Sequence, residues 1–226
     1  MSIRAKTIAL VLAAVALVAL AGCGQAGPPE KGLVVSGPGV RSNEPPWARQ
    51  YAGLARRIKQ LGLPTGDSEK FHIHALLSVY DQSLPVIVPA NIGIDDQHHV
   101  NSTLHTHTPT GVIHIEAPAP YHYTLGDFFA VWGVRFGGGT LGSLQDNGSN
   151  RVWVYANGKL LTDPAQHVIA NGDDISIGYG TNGSFPHQPG TYLLKQVMSG
   201  KSDQPCSITV KKQTACLAPK RSSKAK

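Results

Sequence analysis

Histidine is the residue type through which this 226-residue sequence is best equipped for chemistry, because its 10 histidines are unevenly spread. Three pairs of possible ligands are each separated by one residue: His72 with His74, His105 with His107, and His114 with Glu116. Neutral imidazole binds Zn, Cu, Ni and Fe well. One carboxylate among several histidines suits these metals and suits Ca or Mg badly. The six residues therefore predict a transition-metal site.

The few sulfur-containing residues of the sequence narrow the choice of metal. Met1 and Met198 are the only methionines, which excludes a methionine-rich Cu(I) site. The three cysteines are far from the histidines in sequence and have other predicted roles, so Zn(II) or Cu(II) fits best. Six candidates exceed the usual four ligands of zinc, so either some orient the others or two metals bind.

Three functions are compatible with such a cluster. The favoured one is a protein that binds Zn(II) or Cu(II) for sequestration, delivery or sensing, with a metal-handling or envelope protein as a possible partner. The second is a metal-dependent enzyme in which Glu116 acts as a base on bound water. The third is a structural or interaction domain with a hydrogen-bonded histidine core. The sequence contains no HExxH motif, P-loop or nucleophile elbow, so catalysis would depend on the metal alone.

Alternating apolar and polar residues predict the strands that position these ligands. Five strands are predicted, at Phe71–Tyr80, Pro85–Pro89, Gly111–Glu116, Arg151–Tyr155 and Asp174–Tyr179. Residues i and i+2 of a strand lie on the same face, so each pair can present two ligands together. The dipeptide Asn157-Gly158 predicts a hairpin turn.

Two helices are predicted around these strands. Thr124 can cap a helix that runs to Trp132, with Asp127 near the capping-box position and Gly133 at its end. Apolar residues spaced by three and four predict an amphipathic helix over residues 47–63, with Gly62 as its C-cap. The basic side chains of this helix would allow it to lie on a membrane surface, although amphipathic helices more commonly pack on their own domain.

The order of these elements predicts an α+β domain over residues 67–198. A small mixed β-sheet with one main packed helix, arranged as in the β-grasp, is favoured. A β-sandwich or barrel is the alternative.

The N-terminus predicts export and lipid anchoring. Arg4 and Lys6 precede an uncharged apolar run that ends in Leu20-Ala21-Gly22-Cys23. This resembles the signal peptide and lipobox of bacterial lipoproteins, which implies removal of residues 1–22 and lipid on Cys23. The expected location is the extracytoplasmic face of a cell membrane, with residues 23–46, rich in Gly, Pro and Ser, as a flexible tether.

The charge distribution argues against nucleic acid as a partner. After the leader and the basic end are set aside, residues 23–210 carry 12 basic against 14 acidic residues. Residues 199–226 form a predicted basic tail. Cys206 and Cys216 lie in it and are a predicted disulfide in an oxidising compartment.

The region from Phe71 to Gly180 also resembles a family of mostly uncharacterised, membrane-attached, extracytoplasmic bacterial proteins. The matching motifs include FHIH at 71–74, LHTH at 104–107, GVIHIE at 111–116 and LGDFFAVWG at 125–133. The resemblance implies a shared domain marked by its histidine motifs and supplies no activity. Thr108 stands where the family leads us to expect an acidic residue. Cupins also carry H-x-H, but their glutamate follows the second histidine more closely than Glu116 follows His107.

Overall fold

A computed structural model describes residues 40–64 and 69–200 of the chain. The helices within these ranges are α1 (Leu54–Leu61), α2 (Leu125–Trp132) and α3 (Thr191–Met198). The strands within them are β1 (Phe71–Asp81), β2 (Leu84–Val86), β3 (Ile94–Asp95), β4 (Val100–Asn101), β5 (Leu104–His105), β6 (Val112–Ala117), β7 (Phe136–Gly137), β8 (Thr140–Leu141), β9 (Leu144–Gln145), β10 (Arg151–Ala156), β11 (Lys159–Leu160) and β12 (Asp174–Gly180). The fold class is α+β, as the sequence predicted.

Several predicted features lie outside the described residues. They are the signal peptide, Cys23, the tether up to residue 39, the Cys206–Cys216 disulfide and the basic tail beyond residue 200. In the part of the chain that the structure describes, none of the helices has the length and apolar character needed to cross a membrane.

The main sheet has seven strands in the described residues, and its central pair joins the first of these strands to the last. β1 runs parallel to β12, and the order across the sheet is β11-β10-β12-β1-β6-β5, with β2 also paired to β1. β6 is antiparallel to β1, and β10 is antiparallel to β12. A central parallel pair with antiparallel neighbours on both sides, and a helix between β6 and β10 in the chain, is a β-grasp-like arrangement. The described part of the sheet is open, with β11 and β5 at its edges, rather than closed into a barrel.

Helix α2 covers one face of this sheet and forms the core with it. All eight of its residues are buried. Phe128 and Phe129 belong to one apolar cluster with alternate residues of β1, β6 and β12, among them Leu77, Ile115 and Ile177. The capping box predicted for Thr124 and Asp127 is present, and Gly133 ends the helix in a left-handed conformation.

The N-terminal helix is shorter than predicted, because α1 begins at Leu54 rather than at residue 47. Gly53 has φ of 72°, which a right-handed helix cannot accommodate, and the carbonyl groups of Gln50 and Ala52 accept hydrogen bonds from the Arg57 guanidinium. Trp47 is buried against Trp132, with the ring centroids 6.0 Å apart.

Residues near the predicted end of the tether also belong to the folded body. The backbone of Arg41 bonds to Gly133 and Arg135. The hydroxyl of Ser143 donates to the carboxylate of Glu44. The chain is therefore held to the domain from residue 41 onward.

Helix α3 was not predicted, and it covers part of the opposite face of the sheet. Leu193, Leu194 and Val197 pack against Leu76 and Val112 in a second apolar cluster. Because Leu76 lies two residues after His74, and Val112 lies two residues before His114, α3 covers the continuation of the histidine-bearing face.

Candidate metal centre

Three neighbouring strands bring the predicted ligands to one face of the sheet. His74 of β1 stands opposite His114 of β6, which stands opposite His105 of β5. His72 stands opposite Glu116 in the next row. Intervening residues such as Ile73 and Ile115 pack in the core on the other face. Strand alternation and register thus turn three sequence-separated pairs into one cluster.

The second H-x-H pair is positioned by the threonine between its histidines. The i, i+2 spacing implied a strand through both His105 and His107, but β5 ends at His105. Thr106 is fully buried, and it bonds through its backbone and hydroxyl group to Pro89, Asn91 and Ile92. These bonds hold the chain just beyond β5, so that His107 remains beside His105 without belonging to the strand.

The orientation of the His105 ring is set by the backbone. Its Nδ1 atom lies 2.9 Å from the carbonyl oxygen of Ser102. Since a carbonyl oxygen only accepts, Nδ1 carries the proton, and in the neutral ring Nε2 keeps its lone pair. Metal-binding histidines are commonly oriented in this way by a second hydrogen bond. The motif alone did not indicate the role of Ser102.

Four side chains converge closely enough to hold one ion. The possible ligand atoms of His105, His107, His114 and Glu116 lie within 4.8 Å of one another. The Nε2 atoms of His105 and His107 are 3.1 Å apart. Contacts from histidine nitrogens to Glu116 measure 3.6 Å from His105, 3.6 Å from His107 and 3.3 Å from His114. Two nitrogen ligands of one tetrahedral zinc ion are about 3.3 Å apart, so this group fits a metal ion.

A second group overlaps the first at His114. The possible ligand atoms of His72, His74 and His114 also lie within 4.8 Å of one another. The Nε2 atoms of His72 and His74 are 3.1 Å apart. Asn171 accepts a hydrogen bond from the backbone of His74, which fixes the strand at this point. All six ligands predicted from the sequence are therefore in the cluster.

Protonated histidines in the cluster keep Glu116 ionised at low pH. The contact with protonated His105 lowers the pKa of the Glu116 carboxyl group most, burial works against this, and the charges of protonated His105, His72 and His114 lower it further, to about 2. The ionised carboxylate is the form that binds a metal, so Glu116 is suited to a ligand role. Burial lowers the pKa of His107, and the neighbouring His105 and His114 lower it further, so its neutral, metal-binding form is favoured.

The cluster is buried at His105 and open to solvent at His107 and His72. The side chain of His105 is 5% exposed, whereas that of His107 is 46% exposed. His72 is also exposed. Ions in solution can therefore reach the cluster.

Other histidines lie outside both groups. His98 pairs with Asp95, its Nδ1 atom 2.7 Å from the carboxylate. His167 bonds to Asp173, and His187 stacks on Tyr155. Thr108, where the family resemblance led us to expect an acid, bonds through its hydroxyl to Thr110.

Comparisons of the chain with protein-family models, with curated proteins and with solved structures gave no match. The resemblance stated from the motifs stays a prediction, and the functional conclusion depends on the geometry of the histidine cluster.

Proposed function

We propose that this protein binds a transition metal, Zn(II) or Cu(II), through His105, His107, His114 and Glu116. The observation that carries the proposal is the convergence of three imidazoles and one carboxylate at ligand-to-ligand distances typical of a single ion, with the His105 ring held by Ser102. The donor set of nitrogen and one oxygen suits these metals.

The partial exposure of the cluster supports sequestration, delivery or sensing. The side chain of His107 is about half exposed, so an ion can enter and leave without unfolding of the sheet. The larger apolar cluster lies on the other face of the sheet, against α2, and the apolar residues under α3 continue the histidine-bearing face without including the histidines, which argues against the histidines being a structural core. The exposed side of the cluster also fits transfer of the ion to a metal-handling or envelope partner.

Metal analysis of the full, untagged chain in detergent tests this function. After removal of metal with a chelator, the protein is equilibrated with Zn²⁺ or Cu²⁺, passed through a desalting column and analysed for bound metal. We expect stable binding and a raised melting temperature, because ligands that bind the folded state stabilise it. The absence of both would refute the proposal.

A pair of double variants identifies the ligands. His105→Ala with His107→Ala is expected to lose the ion held by this group. The matched control, His98→Ala with His99→Ala, removes two imidazoles outside the cluster and is expected to bind as the wild type does. Equal metal content and affinity in the two variants would contradict the assignment.

The same proposal includes a lipid anchor on Cys23, which places the cluster on the extracytoplasmic face of a membrane. Its support is the LAGC sequence after an apolar run. Mass spectrometry of the N-terminal peptide from cells is expected to find acyl groups on Cys23 and no residues before it. Release of the Cys23→Ser variant from the membrane fraction is expected as well, and an unmodified Cys23 would contradict the anchor.

A further inference from the structure

We infer that the cluster binds two metal ions rather than one, with His114 as a ligand shared between them. This inference rests on the proposed metal-binding function. The first ion takes the four-ligand group, and the second takes His72, His74 and His114.

The main reason is that the two H-x-H pairs converge separately. The Nε2 atoms within each pair are 3.1 Å apart, a separation suited to two ligands of one tetrahedral ion. The pairs belong to opposite sides of β6, since His74 and His105 each stand directly across from His114. With strands about 4.8 Å apart, the backbones that carry the two pairs are separated by roughly 10 Å. Each pair can therefore take its own ion, and the two ions would lie close together, because Nε2 of His72 and Nε2 of His107 lie 3.2 Å and 3.6 Å from the same oxygen of Glu116.

His114 is placed to serve both ions. Its ring centroid is 4.4 Å from that of His107 and 4.6 Å from that of His74, and both rings meet it nearly at right angles. An imidazole has two ring nitrogens, and each can bind one metal when neither carries a proton. The shared ring then releases one proton to the buffer and becomes an imidazolate anion.

Glu116 lies at the boundary between the two groups. One of its oxygens is 3.2 Å from Nε2 of His72 and 3.3 Å from Nδ1 of His114. Two divalent cations in neighbouring positions repel each other, and the carboxylate and the imidazolate both supply negative charge between them. The arrangement thus offsets part of the cost of a two-metal site.

Titration of the full chain with Cu²⁺ tests the inference. We expect two equivalents per chain in the wild type and one in His72→Ala with His74→Ala, whose side chains lie at the open edge of the cluster. The His98→Ala with His99→Ala control is expected to retain two. One equivalent in the wild type would overturn this inference and leave the proposed function standing, whereas no bound copper would refute both.

Electron paramagnetic resonance of the copper-loaded chain tests the sharing of His114. Two Cu(II) ions joined by one imidazolate couple antiferromagnetically, so the wild type at two equivalents is expected to give much less signal than two isolated ions. The His72→Ala with His74→Ala variant is expected to give the full signal of one isolated ion. Two uncoupled signals in the wild type would overturn the shared ligand. Thermal unfolding of each variant verifies that it is folded.

Discussion

Nδ1 of His105 lies 2.9 Å from the carbonyl oxygen of Ser102, and Nε2 of the same ring lies 3.1 Å from Nε2 of His107. The backbone bond keeps the proton on the far side of the ring, so the nitrogen that faces the cluster is the one with a lone pair. A buried ring held in this way needs little reorganisation to bind a metal, which favours affinity.

Replacing Glu116 with glutamine tests the carboxylate as a ligand. The amide has the same size but lacks the negative charge, so we expect the affinity for Zn²⁺ to fall by at least about tenfold. Glu69→Gln is the control, since Glu69 is exposed and lies 3.7 Å from Nδ1 of His72. Competition with a chelator of known affinity measures the effect. Equal affinities in the two variants would contradict a ligand role for Glu116.

The metal-free protein is expected to lose stability as the pH falls. The pKa of Glu116 is lowered from 4.5 to about 2 in the folded state, so its contribution is present above pH 4.5 and is lost as the pH falls toward 2. A shift of this size corresponds to roughly 3 kcal/mol. The pKa of His107 is also lowered, so its contribution is present above pH 6.5 and declines below it.

Urea unfolding between pH 7.5 and pH 3 measures these two contributions. In Glu116→Gln, the free energy of unfolding is expected to depend less on pH below pH 4.5. In His107→Gln, it is expected to depend less on pH near pH 6. If the pH dependence below pH 4.5 persists in Glu116→Gln, the carboxylate is not its source.

Arg57→Lys is expected to destabilise the fold by about 2–4 kcal/mol, because a lysine cannot reproduce the planar set of donors. The guanidinium of Arg57 is buried and donates to four carbonyl groups that join the start of α1 to the end of α2. These belong to Gln50, Ala52, Ala130 and Val131. Thermal and urea unfolding against Arg56→Lys, an exposed neighbour, measures the loss. A similar loss in both variants would contradict the bridging role.

Gly190→Ala is expected to displace α3 from the sheet. A Cβ atom at Gly190 would lie 1.8 Å from Cδ2 of Leu76, a clash that costs about 1–3 kcal/mol. The backbone of Gly190 also donates to the buried carboxylate of Asp174, and this bond would lengthen. Gly183→Ala is the control, since its Cβ would have no neighbour within 4 Å. Equal melting temperatures for the two variants would show that α3 is not packed as described.

Much of the fold could be predicted from local sequence patterns. The alternation in β1 and β6, the capping box at Thr124 and the turn at Asn157 depend on nearby residues, and each is present. The prediction failed for the start of α1 because the apolar spacing from Trp47 suggested a continuous helix. Trp47 packs on Trp132 instead, and Gly53 stops the helix in a left-handed conformation.

The sequence alone determined the ligand types and their spacing, and for the pairs in β1 and β6 it also determined a shared face, because a strand places i and i+2 on one face wherever it lies. Tertiary structure decided that the three pairs lie next to one another, since the register of β1, β6 and β5 depends on pairing between distant segments. Long-range contacts also decided the anchoring of Thr106, the orientation of His105 by Ser102 and the cover that α3 gives to part of the same face. A pattern of residues can indicate candidate ligands, but only the folded chain sets which of them lie close enough together to hold one ion.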